Sequence, residues 1–78
     1  AGFYAKRGHW AGAAGRLEGI VRDYPGSPRE PLALYQLAEA YLKLDDRFRA
    51  QQALQQLIVK HPDDPQRPEA ERLLASIR

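Results

Sequence analysis

The fold class that this 78-residue sequence predicts is all-α, an α-solenoid of stacked antiparallel helix pairs. Three observations predict it. All six prolines fall in two ladders of the same spacing, Pro25, Pro28, Pro31 and Pro62, Pro65, Pro68. The 37-residue shift that superposes the ladders also pairs Ala1 with Ala38, Tyr4 with Tyr41, Lys6 with Lys43, Ala13 with Ala50, Leu17 with Leu54, Ala33 with Ala70, Leu37 with Leu74 and Ala38 with Ala75, so that 11 of 41 compared positions are identical. About three are expected from composition, and a period in this range signals a stacked repeat. Between the ladders, finally, apolar residues recur at intervals of three and four, and no segment alternates with the period of two that a half-buried strand requires.

Taken in order, the segments read as about five helices, near 2–7, 10–24, 28–44, 47–61 and 65–77. The first is expected to be truncated and to end at Gly8, where glycine can supply a left-handed cap. The second carries its apolar side on Ala13, Leu17, Ile20 and Val21. The third uses Leu34, Leu37, Ala38, Tyr41 and Leu44, and the fourth Ala50, Leu54, Leu57 and Ile58, with Gln51, Gln52, Gln55 and Gln56 on its other side. Ser27-Pro28-Arg29-Glu30 reads as a capping box with proline in the first helical position, and Asp64-Pro65 repeats the start signal. Asp45-Asp46 supplies a turn and the next helix start. The chain thus divides into a partial repeat (1–25), a full repeat (28–62) and a terminal helix (65–78), in one helical-repeat unit spanning 1–78. Ala13 and Ala50 are expected where paired helices cross closely, with Tyr4 and Tyr41 filling the gap to the next pair.

The bulk numbers narrow the function classes. A chain of this size buries only about 60–65% of the surface its unfolded form exposes. Twelve Lys plus Arg face ten Asp plus Glu, a net charge of +2 with both signs interspersed, which fits a solvated surface and no nucleic-acid stripe. With no cysteine, a disulfide framework and a thiolate metal site are excluded. The longest apolar runs fall far below the roughly 20 residues that span a bilayer. No initiator Met is present, so the chain is expected to be a fragment, and any signal or lipid attachment would lie upstream.

No cluster of residues suggests catalysis, and neither an enzyme nor a cofactor is expected. His9 and His61 have no partner at metal-ligand spacing. Asp45-Asp46 and Asp63-Asp64 stand at helix starts, where capping and the helix dipole account for them. Ser27 and Ser76 have no accompanying base, and "AGAAG" lacks the Lys and Ser/Thr of a phosphate-binding loop. Gly12, Gly15 and Gly19 are unfavourable in a helix interior. They point either to close packing by a neighbour or partner or to a poorly optimised helix within a larger solenoid.

Leu34, Leu37, Ala38, Tyr41, Ala50, Leu54, Leu57 and Pro62 stand in the register of the tetratricopeptide repeat (TPR), which the central unit resembles. Tyr4, Ala13, Leu17, Ile20 and Pro25 continue the pattern in the first unit, and Leu74 and Ala75 in the last, where Glu71 replaces a large apolar residue. The TPR period is about 34 residues, so this repeat is longer, and the excess lies in the proline ladder. Such solenoids present a curved surface to other polypeptides. In a TPR stack the first helices of each pair line the concave side, which here would offer Lys6, Leu32, Tyr35, Glu39, Leu42, Lys43 and Arg72. The chain has no Asn, so the carboxylate clamp of chaperone-adaptor TPR domains is disfavoured.

A narrower resemblance rests on Tyr4, Arg7-Gly8, Trp10, Arg16, Glu18-Gly19 and Arg22-Asp23-Tyr24-Pro25. This pattern is similar to the later TPR units of the BamD (ComL) family of outer-membrane assembly lipoproteins. The resemblance covers about residues 3–34 and, more weakly, extends to about residue 62. It departs from the family in the Ala and Gly of the second helix. It implies a non-catalytic scaffold of the periplasm, associated with the outer membrane through an upstream lipid anchor. Implied partners are the POTRA region of BamA, other assembly-machinery lipoproteins and unfolded outer-membrane proteins, with no nucleic acid. Arg16, with Arg7 nearby, is the implied BamA contact, and Tyr35, Glu39 and Lys43 complete the candidate partner-binding residues. Another periplasmic TPR adaptor, such as a Tol-Pal system protein, and a generic TPR interaction module stay open as alternatives.

Overall fold

In the computed structural model the backbone is described for residues 2–77 and the side chains for residues 8–77. Four helices follow one another, α1 (Gly2–Asp23), α2 (Glu30–Lys43), α3 (Arg47–Lys60) and α4 (Arg67–Ile77). Each packs chiefly on its neighbours in the chain, α1 on α2, α2 on α3 and α3 on α4. That is the all-α, TPR-like solenoid order, drawn out to 42 × 28 × 17 Å.

The first two expected helices are one. Gly8 lies inside α1 without a positive φ, so it is not a left-handed cap. The 37-residue shift explains the difference from the next unit. There Gly8 and His9 correspond to Asp45 and Asp46; Asp45 takes φ 63° and the Asp46 carboxylate accepts a hydrogen bond from the Arg49 amide at 3.2 Å, starting α3. His9 has no such carboxylate, and no proline interrupts residues 2–23, so only glycine's intrinsic cost opposes a continuous helix. Tyr4, placed by the sequence reading in the gap between pairs, lies outside the described side chains.

The proline ladder is a joint, and its two copies match bond for bond. In the first, Ser27 N donates to Tyr24 O at 3.2 Å, Glu30 N to Ser27 O at 3.0 Å and Ala33 N to Arg29 O at 2.9 Å. In the second, Asp64 N donates to His61 O at 3.2 Å, Arg67 N to Asp64 O at 3.0 Å and Ala70 N to Gln66 O at 2.9 Å. Tyr24-Pro25-Gly26-Ser27 is a turn in which Gly26 holds φ 80°, the conformation glycine adopts without a Cβ penalty.

The capping box does not form. Glu30 N bonds to Ser27 O with Pro28 second in the turn and Arg29 third at φ −88°, ψ −10°, values of a type I turn. The Ser27 hydroxyl accepts from the Arg29 amide at 3.1 Å, two residues on, and Asp64 Oδ1 accepts from the Gln66 amide at 2.8 Å in the same way. The turn therefore occupies the residues assigned to the first helical positions. Pro31, near the N-terminus of α2, takes the helical place that Pro28 was expected to hold.

Glu30, freed from capping, turns into the protein. It is 1% exposed, and its Oε1 lies 2.5 Å from His61 Nε2 at the far end of α3, while Oε2 has no hydrogen-bond partner. The Asp45-Asp46 turn closes one end of the α2–α3 hairpin and this pair pins the other. Around it the core joins Leu34, Leu37, Ala38 and Tyr41 of α2 to Ala50, Ala53, Leu54 and Leu57 of α3, with Ala70 and Leu74 from α4. From α1 the buried residue is Ala14, and Ala13 is only half-buried. Trp10, Leu17 and Val21 pack beside Ala14, giving a seam spaced four, three and four that replaces the one centred on Ala13. Ala75, the repeat equivalent of buried Ala38, is exposed because α4 has no following helix among the described residues.

Two stability measurements check this packing. Ala50 is 0% exposed, so Ala50→Leu is expected to overpack the α2–α3 crossing and cost about 1–3 kcal/mol in a denaturant titration; an unchanged midpoint would contradict the crossing. His61→Ala leaves the Glu30 carboxylate buried and unpaired, a loss of about 3 kcal/mol, whereas Glu30→Met with His61→Leu should come within about 1 kcal/mol of the parent. Equal losses in the single and double variants would show that the pair is not coupled.

Candidate protein-interaction surface

Four-residue spacing on α2 sets Tyr35, Glu39 and Lys43 on one face. Tyr35 is half-buried and the other two are exposed. At one end of the face Lys43 Nζ lies 6.0 Å from the Trp10 ring centroid, at the outer limit of a cation–π contact. Trp10 in turn meets His9 edge to face, with centroids 5.7 Å apart. At the other end Tyr35 and α4 residues Glu69, Arg72, Leu73 and Ser76 line a shallow cleft of about 380 Å³. Tyr35, Glu39, Lys43 and Arg72, proposed together from the sequence, thus share one side of the stack.

The electrostatics of that side are carried by Tyr35. Burial pushes its hydroxyl above the ordinary value of 10.0, and the Glu39 and Glu69 carboxylates push in the same direction, while Arg72 opposes them. The phenol therefore stays protonated and offers a hydrogen-bond donor beside two carboxylates. Among the described residues, no group of three or more His, Cys, Asp or Glu side chains could hold a metal ion.

Arg16 is not part of this face. The α1 seam toward α2 runs through Trp10, Ala14, Leu17 and Val21. Arg16 stands two residues from Ala14, about 200° around the helix, and its side chain is exposed. Gly8, Gly12, Gly15 and Gly19, spaced four, three and four, share that outward side. A Cβ built at any of them would meet nothing within 4 Å. The close neighbour that could have explained Gly12, Gly15 and Gly19 is therefore absent among the described residues, and α1 exposes a bare strip of backbone beside Arg16. The Arg7 and Lys6 side chains lie outside those described.

Sequence reasoning missed two features. Glu30 and His61 are 31 residues apart, with no local signal joining them. Phe48 and Val59, 69% and 77% exposed, did have one: both lie off the apolar period of α3, on its glutamine side.

A stack of paired helices with exposed polar faces and a protein-sized surface defines a class, the helical-repeat interaction modules. Residues 32–64 match the family model described as tetratricopeptide repeat. The chain carries that repeat and resembles BamD. It is 38% identical over 63 residues, 81% of this chain and 22% of the relative, to the outer membrane protein assembly factor BamD of Xylella fastidiosa strain Temecula1 / ATCC 700964. It is 36% identical over 63 residues to the protein of the same name from strain 9a5c, with the same coverage. The chain therefore spans about a fifth of the length of the curated relatives it matches. No solved structure matches it.

Replacing Glu69 by Gln is expected to bring the Tyr35 titration back toward 10.0, and Arg72→Ala to raise it further, in ultraviolet titrations referenced to Tyr35→Phe. Because the folded-state value is the raised one, its contribution to stability is complete below the unfolded value and is lost as pH climbs through the folded one. The alkaline side of a stability profile should accordingly flatten in Tyr35→Phe.

Proposed function

We propose that this chain is a non-catalytic scaffold of outer-membrane β-barrel assembly that binds the periplasmic region of BamA. The observation that carries the reading is the 38% identity over 81% of the chain to a protein named for outer membrane protein assembly. The fold supports it, since stacked helix pairs supply an extended, rigid surface for other polypeptides. On this reading the chain works in the periplasm at the outer membrane, with other assembly lipoproteins and unfolded outer-membrane proteins as further partners.

Arg16 is the proposed centre of the BamA contact. It projects from the outward side of α1, and a guanidinium there can take a partner carboxylate bidentately. The open glycine strip lets a partner approach the helix backbone closely, which no larger side chain would permit. Arg7, nine residues earlier on the same helix, is proposed with it. The α2 face with Tyr35, Glu39 and Lys43 is the second proposed contact, mixing an aromatic surface with both signs of charge.

Arg16→Glu is expected to weaken binding to the purified BamA periplasmic region by about 1–3 kcal/mol in isothermal titration calorimetry, with helicity unchanged by circular dichroism. Unaltered affinity would remove Arg16 from the interface. No binding by the parent protein would overturn the BamA reading itself.

A further inference from the structure

Residues 50–59, "AQQALQQLIV", contain no charged side chain, although 28% of the chain is charged. Burial explains only half of this run. Ala50, Ala53, Leu54 and Leu57 face the core, but Gln52, Gln55, Gln56 and Val59 are exposed. A helix face in contact with water ordinarily carries charges. Depletion of charge on an exposed face is instead a property of the centres of protein interfaces. Phe48 and Val59, the most exposed large apolar residues in the described structure, extend the stripe at 48, 52, 55 and 59, again spaced four, three and four.

This stripe borders a groove. Between α1 and α3, with Leu37 and Tyr41 of α2 on its floor, lies a cleft of about 460 Å³. Arg22 stands on the α1 bank and Arg49 on the α3 bank. Gln52 and Gln56 line this cleft and also a second of about 350 Å³ that runs on to Val59 and Lys60. The two form a single track along α3, whose wall is uncharged between Arg49 and Lys60. Arg49 to Lys60 is eleven positions on one helix, about 16 Å.

The end charges are available to a ligand. Arg49 is held over the Tyr41 ring at 5.9 Å and meets Asp46 at 3.3 Å, while Arg22 meets Asp23 at 3.5 Å. All four of those charged side chains are at least one-third exposed, and such pairs exchange partners at little cost. Glu18 on the α1 bank disfavours a carboxylate in the middle of the groove. Two helices form the walls and no strand edge is present among the described residues, so the shape suits a helix laid in a groove better than an added strand.

We propose that this track is a second docking surface, which takes an amphipathic helical peptide segment with an apolar, uncharged centre and carboxylates about eleven residues apart. Apolar side chains of the segment cover Leu37 and Val59. Its carboxylates meet Arg49 at one end and Lys60 at the other, with Arg22 facing them from the α1 bank. The glutamine amides, each with donors and an acceptor, satisfy polar groups along its edge. The proposal rests on the reading of the chain as an interaction scaffold and not on BamA as the partner. Arg16 and Glu18 are two residues apart, about 200° around α1, so Arg16 itself lies off the groove, while Arg22 stands one turn beyond Gly19 at the edge of the glycine strip.

The test is fluorescence anisotropy with two labelled synthetic helical peptides, identical in an alanine, leucine and glutamine centre, with glutamates or lysines eleven residues apart at the ends. The protein is expected to bind the glutamate peptide at least about tenfold more tightly than the lysine peptide. Val59→Glu and Arg49→Ala, both at exposed positions, should each weaken it by about tenfold with the thermal midpoint retained. Arg16→Glu should leave it unchanged, which separates failure of this surface from failure of the BamA contact. Absence of binding by the parent protein, equal binding of the two peptides, or indifference to Val59→Glu would overturn the proposal. So would sedimentation showing a dimer that Val59→Glu dissolves, since the occupant would then be a second copy of the chain.

Discussion

No helix in this protein can bury its apolar side alone, and the structure depends on how α2 resolves that constraint. It is covered by α1 on one side and by α3 on the other, and it gives the core more residues than any other helix. Leu34, Leu37 and Tyr41 fill space, while Ala33, Ala38 and Ala40 admit neighbouring backbones. Side chains this small make the crossing close and intolerant of added volume. The outer helices, each supported on fewer sides, keep more of their surface free for partners.

The joint between units converts this stacking into a defined geometry. Each proline removes a backbone donor and fixes φ near −65°, so the turn has few conformations to lose on folding. The amides that remain are paired identically in both copies. Glu30 and His61 then tie the entrance of α2 to the exit of α3. A buried carboxylate with one satisfied oxygen is a poor source of net stability, and such pairs contribute mainly by excluding arrangements in which the charge is left alone. The clamp thus bears on which hairpin geometry the unit adopts, and through it on the curvature presented to partners.

Three faces follow, with different chemistry. The α2 face carries Tyr35 between carboxylates, the outward side of α1 carries Arg16 beside bare backbone, and α3 carries glutamines bounded by cations. Their separation suits an adaptor that holds more than one polypeptide, because occupants on different sides do not compete for the same surface.

The sequence by itself determined what depends on near neighbours: helical periodicity, the 37-residue repeat, the turn at Asp45-Asp46 and the TPR-like order of the pairs. These rest on backbone bonds and spacings that span a few residues, and they repeat when the local pattern repeats. It also set Tyr35, Glu39 and Lys43 on one side of α2, since four-residue spacing fixes a helix side. Tertiary structure decided the rest. Whether Ala13 or Ala14 enters the core depends on the rotation of α1 against α2, a difference of 100° that weak glycine-rich amphipathicity leaves open. Gly8 continues a helix because no carboxylate follows it to start another. Glu30 has the position of a capping residue in sequence, and only the return of α3 brings His61 close enough to draw its carboxylate into the interior.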